Sequence, residues 1–370
     1  MVANKRGVDL SLSLERLGHL CEEPFTRIGL SATQHPLETV AAYLTGVDEN
    51  GRPQPCAIVD AGGRKALDVE VVSPVDNLME AQFDAVWGSA YAYMAEMVRD
   101  HTTTLVFHNS RYKTERTALR LNEATTGEPV RVGAHHGSMS KAVRLGVETD
   151  LKDGALDAVV ATASLELGID VASVDLVCQV QSPKSVSTGL QRVGRAGHLL
   201  NATSKGRVLA VDGDDLSEAA VVVRAMLSGD LEAVRVPERS RDVLAQHVVG
   251  AVAADTWTVE GLYDLFRRSY CYRDLARVEF DSVLDLLAGN VGADIAEPAT
   301  PKIVWDKVRN VLSADPDTRV HAFRGGGTIP DIVDYDVYWE SKGARVGTLD
   351  EGFVEKLNPG DVFILGSSSW

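Results

Sequence analysis

The residues of this chain best equipped for chemistry lie in Gln191-Arg192-Val193-Gly194-Arg195-Ala196-Gly197-His198. Arg192 and Arg195 are three apart, which on a helix puts two guanidinium forks on one face. Two forks aimed across a cleft are what a transferring γ-phosphate requires. Gly194 and Gly197 inside that helix would cost about 1 kcal/mol each relative to Ala, which implies close packing or close approach to a ligand. The plainer alternative is a solvated arginine face. Upstream runs Thr162-Ala163-Ser164-Leu165-Glu166-Leu167-Gly168-Ile169-Asp170. Thr162 and Ser164 can donate to phosphates, Gly168 lets a backbone approach closely, and Asp170 can accept from a ribose hydroxyl. A purely structural loop does not need that density of polar groups.

Three weaker constellations precede these. Asn109-Ser110-Arg111 follows the apolar run Thr104–Phe107, and ligand contacts in parallel sheets lie at such strand ends. A helix starting there would offer backbone N–H groups to a phosphate; it would equally be a plain helix start. His135-His136-Gly137-Ser138 follows the next strand. The His pair invites a metal, but no carboxylate or Cys stands at ligand spacing, and a glycine loop entering a helix suits phosphate contact better. Ser31-Ala32-Thr33 can relay hydrogen bonds between a nucleotide and a nucleic-acid site, or serve only as a turn or cap.

The elements that must position these residues follow from periodicity. Strands are expected at 67–75, 104–108, 130–134, 155–161, 174–180 and 206–211. Helices are expected at 87–99, 111–123, 141–152, 187–195 and 216–227. Apolar strands of five to eight residues alternating with amphipathic helices predict an α/β fold with a parallel sheet covered on both faces. Before this lie a helix at 10–21, short strands at 27–30 and 56–60 and a helix opened by Pro36. After it, helices at 241–254, 259–270 and 278–287, with Thr258 and Asp281 at helix starts, fit a winged helix. From 301 strands and turns dominate, including an expected strand at 319–323. The predicted domains are 1–65, 66–231, 232–300 and 301–370.

Composition bounds the function. Hydrophobic residues make up 45% and charged residues 24% of 370, ordinary for a soluble globular protein. No apolar run reaches the 18 or so residues of a membrane span, and the N-terminus lacks a signal-peptide core, so a cytoplasmic location is expected. A net charge of −16 argues against a passive nucleic-acid coat but not against a local basic groove. Cys21, Cys56, Cys178 and Cys271 have no paired metal-binding spacing and are expected to be reduced and mostly buried.

In order, Gly29–Thr33, Val106–Arg111, His135–Ser138, Ala161–Asp170 and Gln191–His198 resemble motifs III, IV, IVa, V and VI of superfamily 2 helicases. Lys5–Leu17, Gln191–His198, Arg241–His247 and Gly360–Gly366 resemble the large helicase-related (Lhr) family. The resemblance covers essentially the whole chain. It implies RecA-like domains, a winged helix and the start of a β-rich domain. It also implies ATP- and magnesium-dependent 3′-to-5′ tracking on single-stranded DNA, with unwinding of duplexes or RNA–DNA hybrids, in repair or recombination. By the same resemblance, Gln191, Arg192 and Arg195 are catalytic, with Arg195 as arginine finger. Gly168, Asp170, Arg192 and Arg195 would bind the nucleotide. Ser110, Arg111, His135, His136, Gly137, Thr162 and Ser164 would hold the tracking strand, and Ser31, Ala32 and Thr33 would couple the domains. His198 stands where the wider superfamily often has a third arginine.

No GxxxxGK[ST] loop and no DExH box occur in the sequence. The resemblance puts Met1 just past the DExH box, so most of a first RecA-like domain is missing, and residues 1–65 should be poorly ordered or docked elsewhere. Without a P-loop lysine and a magnesium-binding carboxylate, an arginine finger has nothing to act on, and no ATPase activity is expected of this chain alone. A polypeptide carrying the P-loop and DExH box would then be a partner. A non-catalytic nucleic-acid-binding remnant, or a fragment of a split or misassigned gene, would have the same sequence.

Overall fold

The computed structural model describes residues 1–31, 33–60, 65–123, 127–166, 174–197, 203–290, 300–325, 327–328, 334–340, 343–354, 357–358, 360–365 and 368–369. In chain order the elements begin with α1 (Lys5–Leu20), α2 (Leu37–Thr45), β1 (Leu67–Val72), α3 (Phe83–Arg99), β2 (Thr104–Phe107), α4 (Arg111–Asn122), β3 (Val132–His135) and α5 (Lys141–Lys152). Next come β4 (Ala158–Ala161), β5 (Leu176–Val180), α6 (Val186–Val193), β6 (Ser204–Leu209), α7 (Gly213–Ser228) and α8 (Arg241–Val252). The last part holds β7 (Trp257–Thr258), α9 (Val259–Arg267), α10 (Arg277–Leu287), β8 (Val304–Asp306), β9 (Val311–Ser313), α11 (Thr318–Arg324), β10 (Asp334–Trp339) and β11 (Ala344–Asp350). The chain divides into two compact units, Met1–Ala61 with Ala233–Asp331, and Gly62–Glu232 with Ile332–Trp370.

The second of these is built on a six-stranded sheet in the order β1-β6-β5-β2-β4-β3, parallel at every pairing. Every residue of β2, β3, β4 and β5 is buried, as continuous apolar strands between two helical layers must be. Alternation sorts the side chains. Leu105 and Phe107 join Val159, Val177, Val208 and Met226 on one face. Val106 joins Trp87, Met94, Leu121, Val160 and Cys178 on the other. Since all strands run one way, the loops after β2, β3 and β4 emerge at one edge and carry Asn109–Arg111, His136–Ser138 and the segment from Thr162, whereas Gln191–Gly197 runs from the end of α6 into the turn that follows it.

In the other unit, α1 buries Val8 and Leu12 in a core shared with Leu244, Val248, Leu262, Phe266, Tyr272 and Phe280. Polar contacts fix the register. His247 Nε2 lies 2.9 Å from Asp9 Oδ1, the Tyr43 hydroxyl donates to Gly7 O at 2.8 Å, and Arg27 Nη1 donates to Glu15 Oε1 at 2.8 Å. Residues 1–61 therefore pack with 233–331. Thr258 caps α9, accepting from Gly261 N at 3.1 Å, as its position predicts. β7, β8 and β9 form an antiparallel sheet, giving three helices and a hairpin.

Several expected elements differ. Residues 27–30 and 56–60 form no strand; Ile28, Leu30 and Val59 stand in solvent, and no neighbouring strand pairs with them among the described residues. Residues 319–323 lie in helix α11, not a strand, packed on α8. Asp281 does not open a helix: α10 starts at Arg277, and Asp281 sits one turn in, 2.7 Å from Arg277 Nε. Of the four thiols, Cys178 and Cys271 are buried but Cys21 and Cys56 are exposed.

Candidate nucleotide and nucleic-acid site

The arginine motif is shaped differently from its expected form. Helix α6 ends at Val193, so Arg192 closes the helix and Arg195 lies in the turn beyond it. The two glycines belong to that turn. Gly194 caps α6, its N–H donating to Leu190 O at 2.8 Å. Gly197 takes φ +71°, a conformation glycine adopts without strain, and donates to Val174 O at 3.0 Å. Their role is to end the helix and turn the chain, which removes the helix-interior penalty on which a ligand-driven explanation rested.

The two arginines therefore face different surroundings. Arg192 is 6% exposed. Its Nε and Nη2 both donate to Glu166 Oε1, at 2.7 and 2.5 Å, and its Nη1 donates to Asn109 Oδ1 at 2.9 Å and Gln179 Oε1 at 2.7 Å. The guanidinium carbon lies 5.3 Å from the centre of the Phe107 ring. One side chain thus ties the loops after β2 and β4 to β5 and α6. Such a fork-and-carboxylate pair is geometrically specific, and these bonds occupy the nitrogens that a γ-phosphate would need. Arg195 is half-buried, with Nη2 donating to the carbonyl of Glu166. Burial lowers its pKa and the nearby Glu166 carboxylate opposes that; a guanidinium stays charged either way. Of the two forks, Arg195 is the one with capacity left. Gln191 is half-buried on the last turn of α6.

The loops after β3 and β4 are laced together. His135 is buried, with Nδ1 2.8 Å from Ser164 Oγ and Nε2 3.0 Å from Glu148 Oε1. Burial holds this imidazole below its ordinary pKa, against the pull of Glu148. Ser164 Oγ also donates to the His135 carbonyl at 3.0 Å, so the Ser164 hydroxyl points into the protein. His136 is 1% exposed, its Nε2 2.7 Å from the buried Glu115 Oε1. Neither imidazole reaches the surface. Gly137 is exposed, and a Cβ there would meet nothing within 4 Å. Arg111 Nη1 donates to Ser138 Oγ at 2.7 Å, and Ser138 O accepts from Thr348 N at 2.8 Å. Thr162 is half-buried, its N–H donating to His135 O at 3.3 Å. Ser110 precedes α4 without a side-chain cap bond.

The parallel sheet thus brings Ser110, Arg111, His135, His136, Gly137, Thr162 and Ser164 to one edge, while Arg192 on α6 and Arg195 in the turn after it reach the loops from that edge through Asn109 and Glu166. Ser31 and Thr33 belong to the other unit. Ala32, Gly168, Asp170 and His198 lie outside the described residues. Sequence reasoning missed Glu166, Gln179, Glu115 and Glu148. Gln179 had a visible signal, a lone amide in the otherwise apolar strand Leu176–Val180, where burial demands a partner.

Two family models match separate parts of the chain. The winged helix domain of large helicase-related protein matches residues 224–370, and the helicase conserved C-terminal domain matches residues 89–199. The ATP-dependent helicase Lhr-Core of Methanothermobacter thermautotrophicus is 42% identical over 367 residues, covering 98% of this chain and 42% of that protein. The Lhr helicase/uracil glycosylase of Escherichia coli is 37% identical over 418 residues, covering all of this chain and 27% of that one. The structure of Mycobacterium smegmatis helicase Lhr bound to ssDNA and AMP-PNP matches with a TM-score of 0.77 at 40% identity, over 98% of this chain and 46% of that chain. The DUF1998 helicase MrfA shares the fold, with a TM-score of 0.70 at 16% identity over all of this chain and 48% of that one. The chain spans less than half the length of each of these relatives.

Proposed function

The chain belongs to the large helicase-related family of superfamily 2 helicases, as a portion of its C-terminal side, and from that premise we propose that it is the second half of an ATP-driven motor tracking 3′ to 5′ along single-stranded DNA. Its substrates would be duplexes or RNA–DNA hybrids, in repair or recombination. Residues 66–231 would be the second RecA-like domain of that motor, and residues 233–331, with 1–61 packed in the same unit, would carry its winged helix, the β8–β9 hairpin included. The observation that carries this is the network at the sheet edge, in which Arg192 joins the segment holding Arg195 to the loops holding Asn109 and Glu166. Motion of a nucleotide-contacting arginine is thereby transmitted to strand-contacting loops through one rigid cluster.

Within this chain, Arg195 would contact the γ-phosphate. The backbone of Gly137, with Ser110 and Thr162, would hold phosphates of the tracking strand, and Arg111 would orient the Ser138 loop. Magnesium-bound ATP, when present, supplies the phosphoryl transfer that drives stepping. The residues here fit one side of such a site: a charged guanidinium is present, but the sequence contains no P-loop lysine and no DExH carboxylate. We therefore propose that the chain alone does not hydrolyse ATP and acts with a polypeptide bearing those motifs.

The test is ATP hydrolysis by the purified chain, with and without single-stranded DNA, alone and mixed with a P-loop/DExH polypeptide. Hydrolysis should appear only in the mixture with DNA and vanish with Arg195→Ala. DNA-dependent hydrolysis by the chain alone would sink the requirement for a second polypeptide. DNA binding without hydrolysis in any mixture would favour a non-catalytic binding remnant.

A further inference from the structure

Within the unit of residues 1–61 and 233–331, a cavity of about 1110 Å³ opens between the start of α1, one side of α8, Lys302 and the end of α11. Among the described residues, its wall carries Lys5, Arg6, Lys302 and Arg324 against a single carboxylate, Asp242. That carboxylate is already taken, since Lys5 Nζ donates to Asp242 Oδ2. Arg6, Lys302 and Arg324 make no ion pair among the described residues. Other arginines of the same unit behave differently: Arg27 pairs with Glu15, Arg273 with Glu238 and Arg277 with Asp281. The chain holds 53 acidic against 37 basic residues, so three unpaired cations around one hollow run against its composition. The backbone fixes two of them. Lys302 N donates to Leu287 O at 2.7 Å and its carbonyl accepts from Thr318 Oγ1 at 2.7 Å, while Gly325, donating to His321 O at 2.9 Å, ends α11 just after Arg324. The floor is apolar, formed by the buried Val249 and Leu287.

We propose that this cavity binds a small polyphosphate ester, its phosphates on Arg6, Lys302 and Arg324 and its body against Val249 and Leu287. Like charges facing one space repel each other, and a bound polyanion turns that repulsion into attraction. Guanidinium forks match phosphate oxygens in particular. The first turn of α1 adds to this, because its N–H groups form the positive end of the helix and Asn4, Lys5 and Arg6 all line the cavity. The volume suits a nucleotide-sized molecule, since small-molecule pockets run from roughly 300 to 1,000 Å³. No Phe, Tyr or Trp stands among the described lining residues. Bases of a single strand would stack on such rings, so their absence here favours a small ester over a strand. The site is separate from Arg195, which belongs to the other unit, and it does not depend on the motor function proposed above.

The experiment titrates the full 370-residue chain with inorganic tripolyphosphate and with magnesium-free ATP in a calorimeter. Both should bind, one per chain and in competition, and more weakly as salt rises. Arg6→Gln, Lys302→Gln and Arg324→Gln should each weaken tripolyphosphate binding about tenfold, with the ligand-free thermal midpoint unchanged. Asp242→Asn, which frees Lys5, should tighten it. Arg195→Ala should leave it as it is. Absence of saturable binding at millimolar ligand overturns the proposal. So do binding that the three glutamine variants leave intact and failure of ATP to displace tripolyphosphate. A single-stranded oligonucleotide that needs these three residues, where tripolyphosphate does not bind, assigns the cavity to a strand and overturns the small-ligand site.

Discussion

Arg192 and Arg195 show how two identical residues three positions apart acquire different roles. Arg192 has spent its donors on Glu166, Asn109 and Gln179, so its removal is first a structural lesion. Truncating one partner of a buried ion pair leaves the other charge uncompensated, at roughly 3 kcal/mol. Glu166→Gln and Arg192→Gln should each lower the unfolding free energy of the sheet-containing unit by about that amount in urea titrations. Arg195→Gln should cost less than about 1 kcal/mol, because its one described bond is to a carbonyl and it is half-exposed. Equal losses for the two arginines would sink the distinction. His108 adds a pH signature. Burial, with Lys113 and Arg192 nearby, depresses its pKa to about 3, while the unfolded chain keeps a value near 6.5. Between those values the unfolded state binds the extra proton, so stability is full above about pH 6.5 and falls as pH drops. The urea midpoint should decline from pH 7 to pH 5, and His108→Gln should flatten part of that decline.

At the scale of elements, α1 is the clearest case of a segment whose behaviour depends on its neighbours. Its apolar spacing announced a helix, and its buried Val8 and Leu12 pack into the core of α8, α9 and α10. Leu12→Ala should therefore cost about 2–5 kcal/mol, read as a lowered thermal midpoint of the unit holding 233–331. A loss under 0.5 kcal/mol would mean that the segment does not contribute to that core. Gly347 is the counterpart in β11: a Cβ there would stand 2.8 Å from Ser138 O and 3.0 Å from Leu365 Cδ2. Gly347→Ala should loosen β11 from the Gly137–Met139 loop, seen as faster amide exchange at Thr348, whose N–H bonds to Ser138 O. Unchanged exchange would show that the loop yields instead.

For the whole molecule, the sequence determined the alternation of strand and helix from 67 to 228, the three helices after 240, and which strand ends carry polar loops. Those properties follow from local periodicity and from the polarity of residues such as Thr162 and His135, and chain order alone preserves them. The motif residues likewise told the family. Only the tertiary structure decided the rest. Strand order set Asn109, Glu166 and Gln179 around Arg192, although they are up to 83 positions away in the chain. Burial turned His135, His136 and Ser164 inward, which no residue type announces. The strands expected at 27–30 and 56–60 failed for the complementary reason, since a strand is completed by a pairing neighbour that its own sequence cannot supply. Periodicity is a property of neighbours along the chain, whereas a site is a property of neighbours in space. That is why the edge carrying the motifs could be read in advance, and the division of labour between its two arginines could not.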